Sequence, residues 1–211
     1  MIVEDFLRYM EAEKDASPQT VVTYRAALAD YIAFLGKIDG SLAPEDADSD
    51  IIRDWVEDMM DRGYKATNTC KKLSAVRSLY KYALRKGVIK RDPAHGVNGP
   101  KKQKNLPVFL KEQEADKLFD SIPWDYDDIN DVRTRTLLLL LYSTGMRRAE
   151  VIGLRDKDID FAGGYVKVTG KRRKQRVVPL GAEITDASDV YMKMRDMATP
   201  AADDTGALFR N

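Results

Sequence analysis

Apolar residues recur every three to four positions along the first part of the chain, which is the spacing of amphipathic helices. The apolar stretches are separated by Gly, Pro and acidic turns, and they predict four helices, over residues 2–14, 17–36, 50–62 and 67–86. Ser17 and Pro18 suit the N-cap and the first position of the second helix, and Gly36 suits its end. Four helices of this length with short connections predict a compact helical bundle over residues 1–92.

The fourth helix carries two different faces. Its core stripe consists of Leu73, Val76, Leu79, Tyr80 and Ala83. Its remaining surface is polar and mostly cationic, with Lys71, Ser74, Arg77, Ser78, Lys81 and Arg85. The pattern predicts a helix that packs on the bundle through one face and presents positive charge with the other.

Turn-forming residues are concentrated directly after the bundle. Residues 92–100 contain two prolines and two glycines, and Lys101, Lys102 and Lys104 follow them. Prolines and glycines at this density indicate an extended connection between two folded units. We therefore predict a basic interdomain linker over residues 93–108.

The pattern beyond the linker predicts a second domain, residues 109–211, that mixes helices with a short strand pair. Its predicted elements are helices over 111–121, 131–143 and 185–197 and strands over 165–168 and 176–180. A further helix follows Thr144-Gly145 and is predicted to hold Arg147 in its first turn. The fold class that follows is mainly α with a small β-hairpin or sheet.

The net charge of +1 conceals a segregation of charges along the chain. Residues 39–61 hold nine acidic residues and one basic residue, whereas residues 62–104 hold thirteen basic residues and one acidic residue. A block of one sign indicates an anionic partner on one face of the protein.

Several classes of protein are excluded by composition. The single cysteine, Cys70, excludes an internal disulfide and fits a reducing cytosol. With one cysteine and one histidine, His95, the chain has no ordinary zinc site, and it carries no nucleotide-binding fingerprint, so no cofactor is expected. The longest apolar run, 137–142, is far shorter than the roughly 20 residues that span a bilayer. We predict a soluble cytoplasmic protein that binds neither membrane nor nucleotide cofactor.

Candidate chemistry is concentrated in two motifs of the second domain. The first runs from Thr144 to Arg155 and places Glu150 one helical turn after Arg147; the second begins with Gly170 and Lys171 and continues through the second strand. An Arg–Glu pair alone is usually a surface salt bridge, and a basic turn alone is usually solvated. Together they suit phosphodiester chemistry, because a guanidinium forks onto two phosphate oxygens and a lysine can protonate the leaving oxygen.

These two motifs, Thr-Gly-Met-Arg-x-x-Glu-Val-x-x-Leu and Gly-Lys-x-x-Lys-x-Arg-x-Val-Pro-Leu, resemble those of the tyrosine recombinase (phage integrase, Xer-like) family. The resemblance implies that Arg147 is the first catalytic arginine, Glu150 its acidic support and Lys171 the lysine of the hairpin. It extends over the bundle, which is similar to the family's SAM-like core-binding domain through residues 17–25 and 71–80. Residues 109–211 then correspond to part of an α+β catalytic domain.

The resemblance also implies the partner, which is double-stranded DNA held between two domains by a homo-oligomer. The residues predicted to contact DNA are Lys71, Lys72, Arg77, Lys81, Arg85, Lys101, Lys102, Lys104, Arg172 and Arg173. The family often has Gly-Asn where Arg172-Arg173 stand, so the turn of this hairpin carries additional charge.

The family's later boxes, His-x-x-Arg and the nucleophilic Tyr, have no counterpart in the 211 residues. We therefore expect a fragment or a truncated member that binds DNA but does not cleave it. The first alternative is a DNA-binding regulator without catalytic activity. The second is a helical module whose acidic surface, residues 39–61, docks a basic partner. Type IB topoisomerases share the catalytic logic, but the Xer-like spacing argues against them.

Overall fold

The computed structural model describes residues 2–103, 106, 109–170, 174–198 and 206–210. The chain divides into two compact units, Met1–Pro107 and Val108–Asn211. Across the described ranges there are eight α-helices and one three-stranded antiparallel sheet. The predicted class, mainly α with a small sheet, is confirmed.

The first unit is a bundle of four helices around an aromatic core. The helices are α1 (Ile2–Ala12), α2 (Pro18–Ile38), α3 (Ser49–Asp61) and α4 (Ala66–Arg85). The predicted core stripe of α4 is buried along its whole length. The buried hydroxyls of Tyr31 and Tyr80 lie 2.8 Å apart, and Tyr80 donates to the Pro44 carbonyl at 2.8 Å. Both phenols are therefore hydrogen-bonded within an otherwise apolar core.

Local capping chemistry explains where α2 begins. The Ser17 hydroxyl accepts from the Thr20 amide at 3.2 Å, and Pro18 begins α2 as predicted. The predicted end at Gly36 is wrong, because α2 continues to Ile38 and is capped at Asp39. Gly36 lies inside α2 with a helical backbone, and it does not adopt the left-handed conformation that glycine often has at the C-terminal end of a helix.

The segment after the bundle packs against α4. Ala94 and Val97 are buried members of the core, and the Arg77 guanidinium donates to the Val97 carbonyl. Gly99 lies so close to Cys70 that a Cβ there would stand 2.8 Å from the sulfur. Residues up to Pro100 thus belong to the first unit, whereas the sequence predicted an extended linker from residue 93.

The second unit combines four helices with the sheet. Its elements are α5 (Glu112–Ser121), α6 (Ile129–Thr144), α7 (Arg148–Ile152), β1 (Ile159–Asp160), β2 (Tyr165–Thr169), β3 (Gln175–Pro179) and α8 (Ala182–Ala198). The strands pair in the order β1-β2-β3, with Val166 opposite Val178. Val166 and Val168 point inward and join Leu140, Met146 and Val151 in the core. The sequence did not predict β1, whose two residues are too few to show a period.

Residues 206–210 are docked on this unit. The Leu208 side chain is buried, and its amide donates to the Leu154 carbonyl at 2.9 Å. Arg195 of α8, only 2% exposed, reaches the carbonyls of Ala207 and Leu208 and pairs with Asp156 at 2.7 Å. A buried arginine therefore fastens this segment to the rest of the unit.

Candidate functional site

The junction between α6 and α7 sets the position of Arg147. Gly145 ends α6 in the left-handed conformation (φ +61°), and the buried Met146 anchors the turn in the core. Arg147 is the N-cap of α7, with extended backbone, and Arg148 is the first helical residue. The sequence had predicted Arg147 in the first turn; the difference is one position. The Arg147 side chain is 76% exposed.

Glu150 lies at the centre of a cluster of hydrogen bonds. Its side chain is only 7% exposed. One carboxylate oxygen accepts from the Arg147 amide at 2.8 Å, and the other accepts from Arg147 Nη1 at 2.9 Å. Arg176 of β3 donates to both oxygens, at 3.0 and 2.8 Å. The hydrogen bonds from Arg176 and then from the Arg147 amide lower the pKa of Glu150 to about 2, so the carboxylate is ionised at neutral pH.

Arg176 was not among the predicted site residues. In the register of β3 it stands two positions from Val178, which faces the core side, and it pairs across the sheet with the buried Val168. The alternation of β3 places Arg176 on the same side as Val178, but its pairing with Glu150 depends on the register of the hairpin, which the sequence alone does not show.

Gly170, the residue that follows β2, lies against the same carboxylate. A Cβ on Gly170 would stand 3.2 Å from Glu150 Oε1, so this position is open only to glycine without rearrangement. The Gly170 amide donates to the Lys174 carbonyl at 2.7 Å. The predicted residues Lys171, Arg172 and Arg173 lie outside the described residues.

The predicted DNA-contacting residues of α4 divide into two groups. Lys71 and Lys81 are exposed and make no ion pair with any residue that the structure describes. The exposed Arg85 guanidinium lies over the Tyr9 ring, 4.5 Å from its centroid. Arg77 is partly buried and is held by the Val97 carbonyl. The open cationic face is therefore narrower than the sequence predicted.

Lys72 belongs to an internal network and does not lie on this face. Its ammonium pairs with Asp30 of α2 at 3.0 Å, and the side chain is only 16% exposed. Arg62 donates to the same carboxylate at 3.0 Å, and both cations lie over the Tyr64 ring. Burial alone would raise the pKa of Asp30, but the hydrogen bonds from Arg62 and Lys72 hold it below its ordinary value. The network joins α2 to α4 and to the turn that precedes α4.

Two lysines of the basic run extend the charged surface of the first unit. Lys101 and Lys102 are exposed, and Lys104 lies outside the described residues. Lys101 lines a concave surface of about 510 Å³ together with Lys65 and Thr67 at the beginning of α4.

In the described parts of the chain, no group of three or more His, Cys, Asp or Glu residues is placed to hold a metal ion. None of the described helices is long and apolar enough to cross a membrane.

Comparison with known proteins identifies the family. Residues 3–87 match the model "Phage integrase, N-terminal SAM-like domain", and residues 108–211 match the phage integrase family model. The tyrosine recombinase XerC of Pelotomaculum thermopropionicum is 37% identical over 99% of this chain and 70% of that protein. The chain belongs to the phage integrase family of tyrosine recombinases. The resemblance seen in the two motifs is confirmed.

Other members of the family match over similar lengths. The tyrosine recombinase XerC of Bacillus licheniformis is 35% identical over 89% of this chain and 61% of that protein. The tyrosine recombinase XerD of Staphylococcus haemolyticus is 33% identical over 90% of this chain and 64% of that protein. This tyrosine recombinase chain thus spans 61–70% of the length of these three relatives.

Solved structures of recombinases share the fold. The Tn1549 transposon integrase in complex with transposon right end DNA superposes with a TM-score of 0.75 at 18% identity, over all of this chain and 71% of that one. The XerH site-specific recombinase bound to its palindromic difH substrate gives a TM-score of 0.70 at 20% identity, over 99% of this chain and 61% of that one. At these identities the likeness establishes the fold.

Proposed function

We propose that this chain binds duplex DNA as a site-specific recombinase of the tyrosine type, with both units contacting the DNA backbone. The observation that carries the proposal is the Arg147–Glu150 site, in which a nearly buried carboxylate holds a largely exposed guanidinium at the start of α7. In this family, strands are broken and rejoined through a phosphotyrosine, and we propose that chemistry as the reaction to which this site contributes.

An exposed guanidinium in this position fits a phosphodiester. Arginine is permanently charged, and its planar fork donates two parallel hydrogen bonds to phosphate oxygens. Arg147 uses Nη1 on Glu150, and the rest of its fork faces solvent. Cleavage adds negative charge to the phosphate oxygens in the transition state, and a fixed cation stabilises that charge. We assign Arg147 and Glu150 to this site and, from the family motif, Lys171 as the general acid.

In the first unit, the open cationic face of α4 fits the DNA backbone. Its polar residues follow one another at intervals of three or four positions and therefore share one side of the helix; they are Lys71, Ser74, Ser78, Lys81 and Arg85. We assign phosphate contacts to Lys71, Lys81, Arg85, Lys101 and Lys102, and, outside the described residues, to Lys104, Arg172 and Arg173. Lys72 and Arg77 are not included, because both are engaged within the unit.

Gel retardation of a pool of random duplexes at increasing salt tests this proposal. The logarithm of the binding constant falls with the logarithm of salt concentration, with a slope of about −0.9 for each neutralised phosphate. Lys71→Met and Lys81→Met are each expected to reduce that slope by about 0.9. Lys37→Met removes the same charge from an exposed position near the end of α2 and is expected to leave the slope unchanged. Absence of retardation at low salt would contradict the proposal.

We also propose that residues 1–211 bind DNA without cleaving it. The sequence contains no His-x-x-Arg box, since the single His95 is followed by Gly96, Val97 and Asn98. A nicked suicide substrate is expected to yield no covalent protein–DNA adduct with these residues. An adduct would contradict this part of the proposal and leave the binding part intact. Cooperative formation of the doubly occupied complex on a duplex with two sites would support the expected homo-oligomer.

A further inference from the structure

The Glu150 carboxylate is shared by two arginines in unequal ways. Arg176 occupies both oxygens with two guanidinium nitrogens, which is the fork-on-fork arrangement. Arg147 reaches one oxygen with a single guanidinium nitrogen and the other with its backbone amide. A carboxylate accepts roughly four hydrogen bonds. With these four in place, Glu150 has no acceptor site left for the remaining donors of Arg147.

The same arrangement joins the hairpin to the helix. Arg176 is a residue of β3, and its Nη1 lies 3.5 Å from the position that a Cβ on Gly170 would occupy. Gly170 in turn lies against Glu150 Oε1, and its amide closes the turn on the Lys174 carbonyl. The backbone of Gly170 therefore packs on the Arg176–Glu150 pair, which is anchored to the start of α7.

We propose that Arg176 is a positioning residue: it occupies the Glu150 carboxylate from β3, keeps the remaining donors of the Arg147 guanidinium free to bind a phosphate, and holds Gly170 beside them. The inference rests on the proposed function, because the phosphate is the ligand for which Arg147 is kept free. Without Arg176, two acceptor sites of a nearly buried carboxylate open next to Arg147. The Arg147 fork then turns onto Glu150 in the bidentate mode, and its donors are lost to the phosphate.

Duplex binding by the 211-residue chain and its variants tests the inference through Arg147. Arg176→Gln is expected to weaken binding roughly tenfold, as Arg147→Ala does, since each loses one charge-assisted phosphate contact. In the Arg147→Ala background, Arg176→Gln is expected to add less than about twofold, because its effect passes through Arg147. Lys167→Gln removes one charge from the outer face of the same hairpin and is expected to bind like the parent chain.

Arg176→Lys covers the case in which Arg176→Gln fails to fold. A single ammonium keeps one carboxylate oxygen occupied, so this variant is expected to fold and to bind with intermediate affinity. Its deficit too is expected to disappear when Arg147→Ala is present. Losses that add fully in the Arg147→Ala background would overturn the inference, because Arg176 would then act independently of Arg147.

Nuclear magnetic resonance of the arginine side chains gives a readout that does not require DNA. In the parent chain, titration with inorganic phosphate is expected to shift the Arg147 Nε–H signal, and in Arg176→Gln the shift is expected to shrink. Unchanged shifts in the variant would overturn the positioning role. A parent chain that responds to phosphate but retards no duplex would instead contradict the proposed function.

Discussion

The buried Arg195 offers a sharp test of what holds the second unit together. Its guanidinium is 2% exposed and donates to both oxygens of Asp156, at 2.7 and 2.9 Å, and to the carbonyls of Ala207 and Leu208. Asp156→Asn preserves the shape of the partner but removes its charge. The buried guanidinium then loses one of its neighbouring negative charges. Removing one partner of a buried ion pair destabilises a fold more than replacing both partners, because it leaves a buried charge uncompensated.

The magnitude follows from the exposure of the partners. Removing one member of a fully buried pair costs about 3–5 kcal/mol. Asp156 is 28% exposed, and Asp196 remains within 2.6 Å of the guanidinium, so the lower end applies. We expect a loss of roughly 2–3 kcal/mol, which lowers the melting temperature of a domain of this size by roughly 8–24 °C.

Thermal unfolding of the two units, followed by calorimetry, measures this loss. The control is Asp189→Asn on the same helix, which breaks the solvent-exposed pair with Lys193 and is expected to cost well under 1 kcal/mol. Hydrogen exchange provides a local readout, since the Leu208 amide donates to the Leu154 carbonyl and should lose protection. Equal shifts in melting temperature for the two Asp→Asn variants would refute the conclusion that Arg195 holds residues 206–210 on the second unit.

Two further predictions concern the first unit. Gly99→Ala places a Cβ 2.8 Å from the Cys70 sulfur and is expected to lower the free energy of unfolding in urea by about 1–3 kcal/mol. Adding Cys70→Ala is expected to restore that stability, and the control Gly40→Ala, whose Cβ meets nothing within 4 Å, is expected to cost less. Equal losses of stability at the two glycines would argue against the close approach. Burial raises the pKa of Tyr31 to about 12, against about 10 in the unfolded chain. Between about pH 10 and pH 12 the unfolded chain therefore loses this proton while the folded chain keeps it, so the free energy of unfolding falls as the pH rises through this range. Urea midpoints followed by Trp55 fluorescence at pH 8 and pH 11 should therefore drop less for Tyr31→Phe than for the parent chain.

Local periodicity predicted most elements, because the spacing of apolar residues on a helix or strand is a property of neighbouring positions. The core stripe of α4 and the existence of the hairpin follow from such spacing. The register of the hairpin does not follow from this spacing. It is the register that brings Arg176 to Glu150, which lies 26 positions earlier in the sequence. The same limit explains Arg195, since a charged residue near the end of an amphipathic helix is ordinarily predicted to face solvent.

The adjacent residues Lys71 and Lys72 show where charge counting stops being informative. They are chemically identical and one position apart, but one position on a helix is a rotation of about 100°, so they face different surroundings. Lys71 faces outward, whereas Lys72 faces α2 and is neutralised by Asp30. A count over residues 62–104 includes both as available cations, although Asp30 lies outside that segment. The charge that a basic helix presents to a polyanion is therefore set by the acids of the helices packed against it, and only the fold determines which of its lysines those acids neutralise.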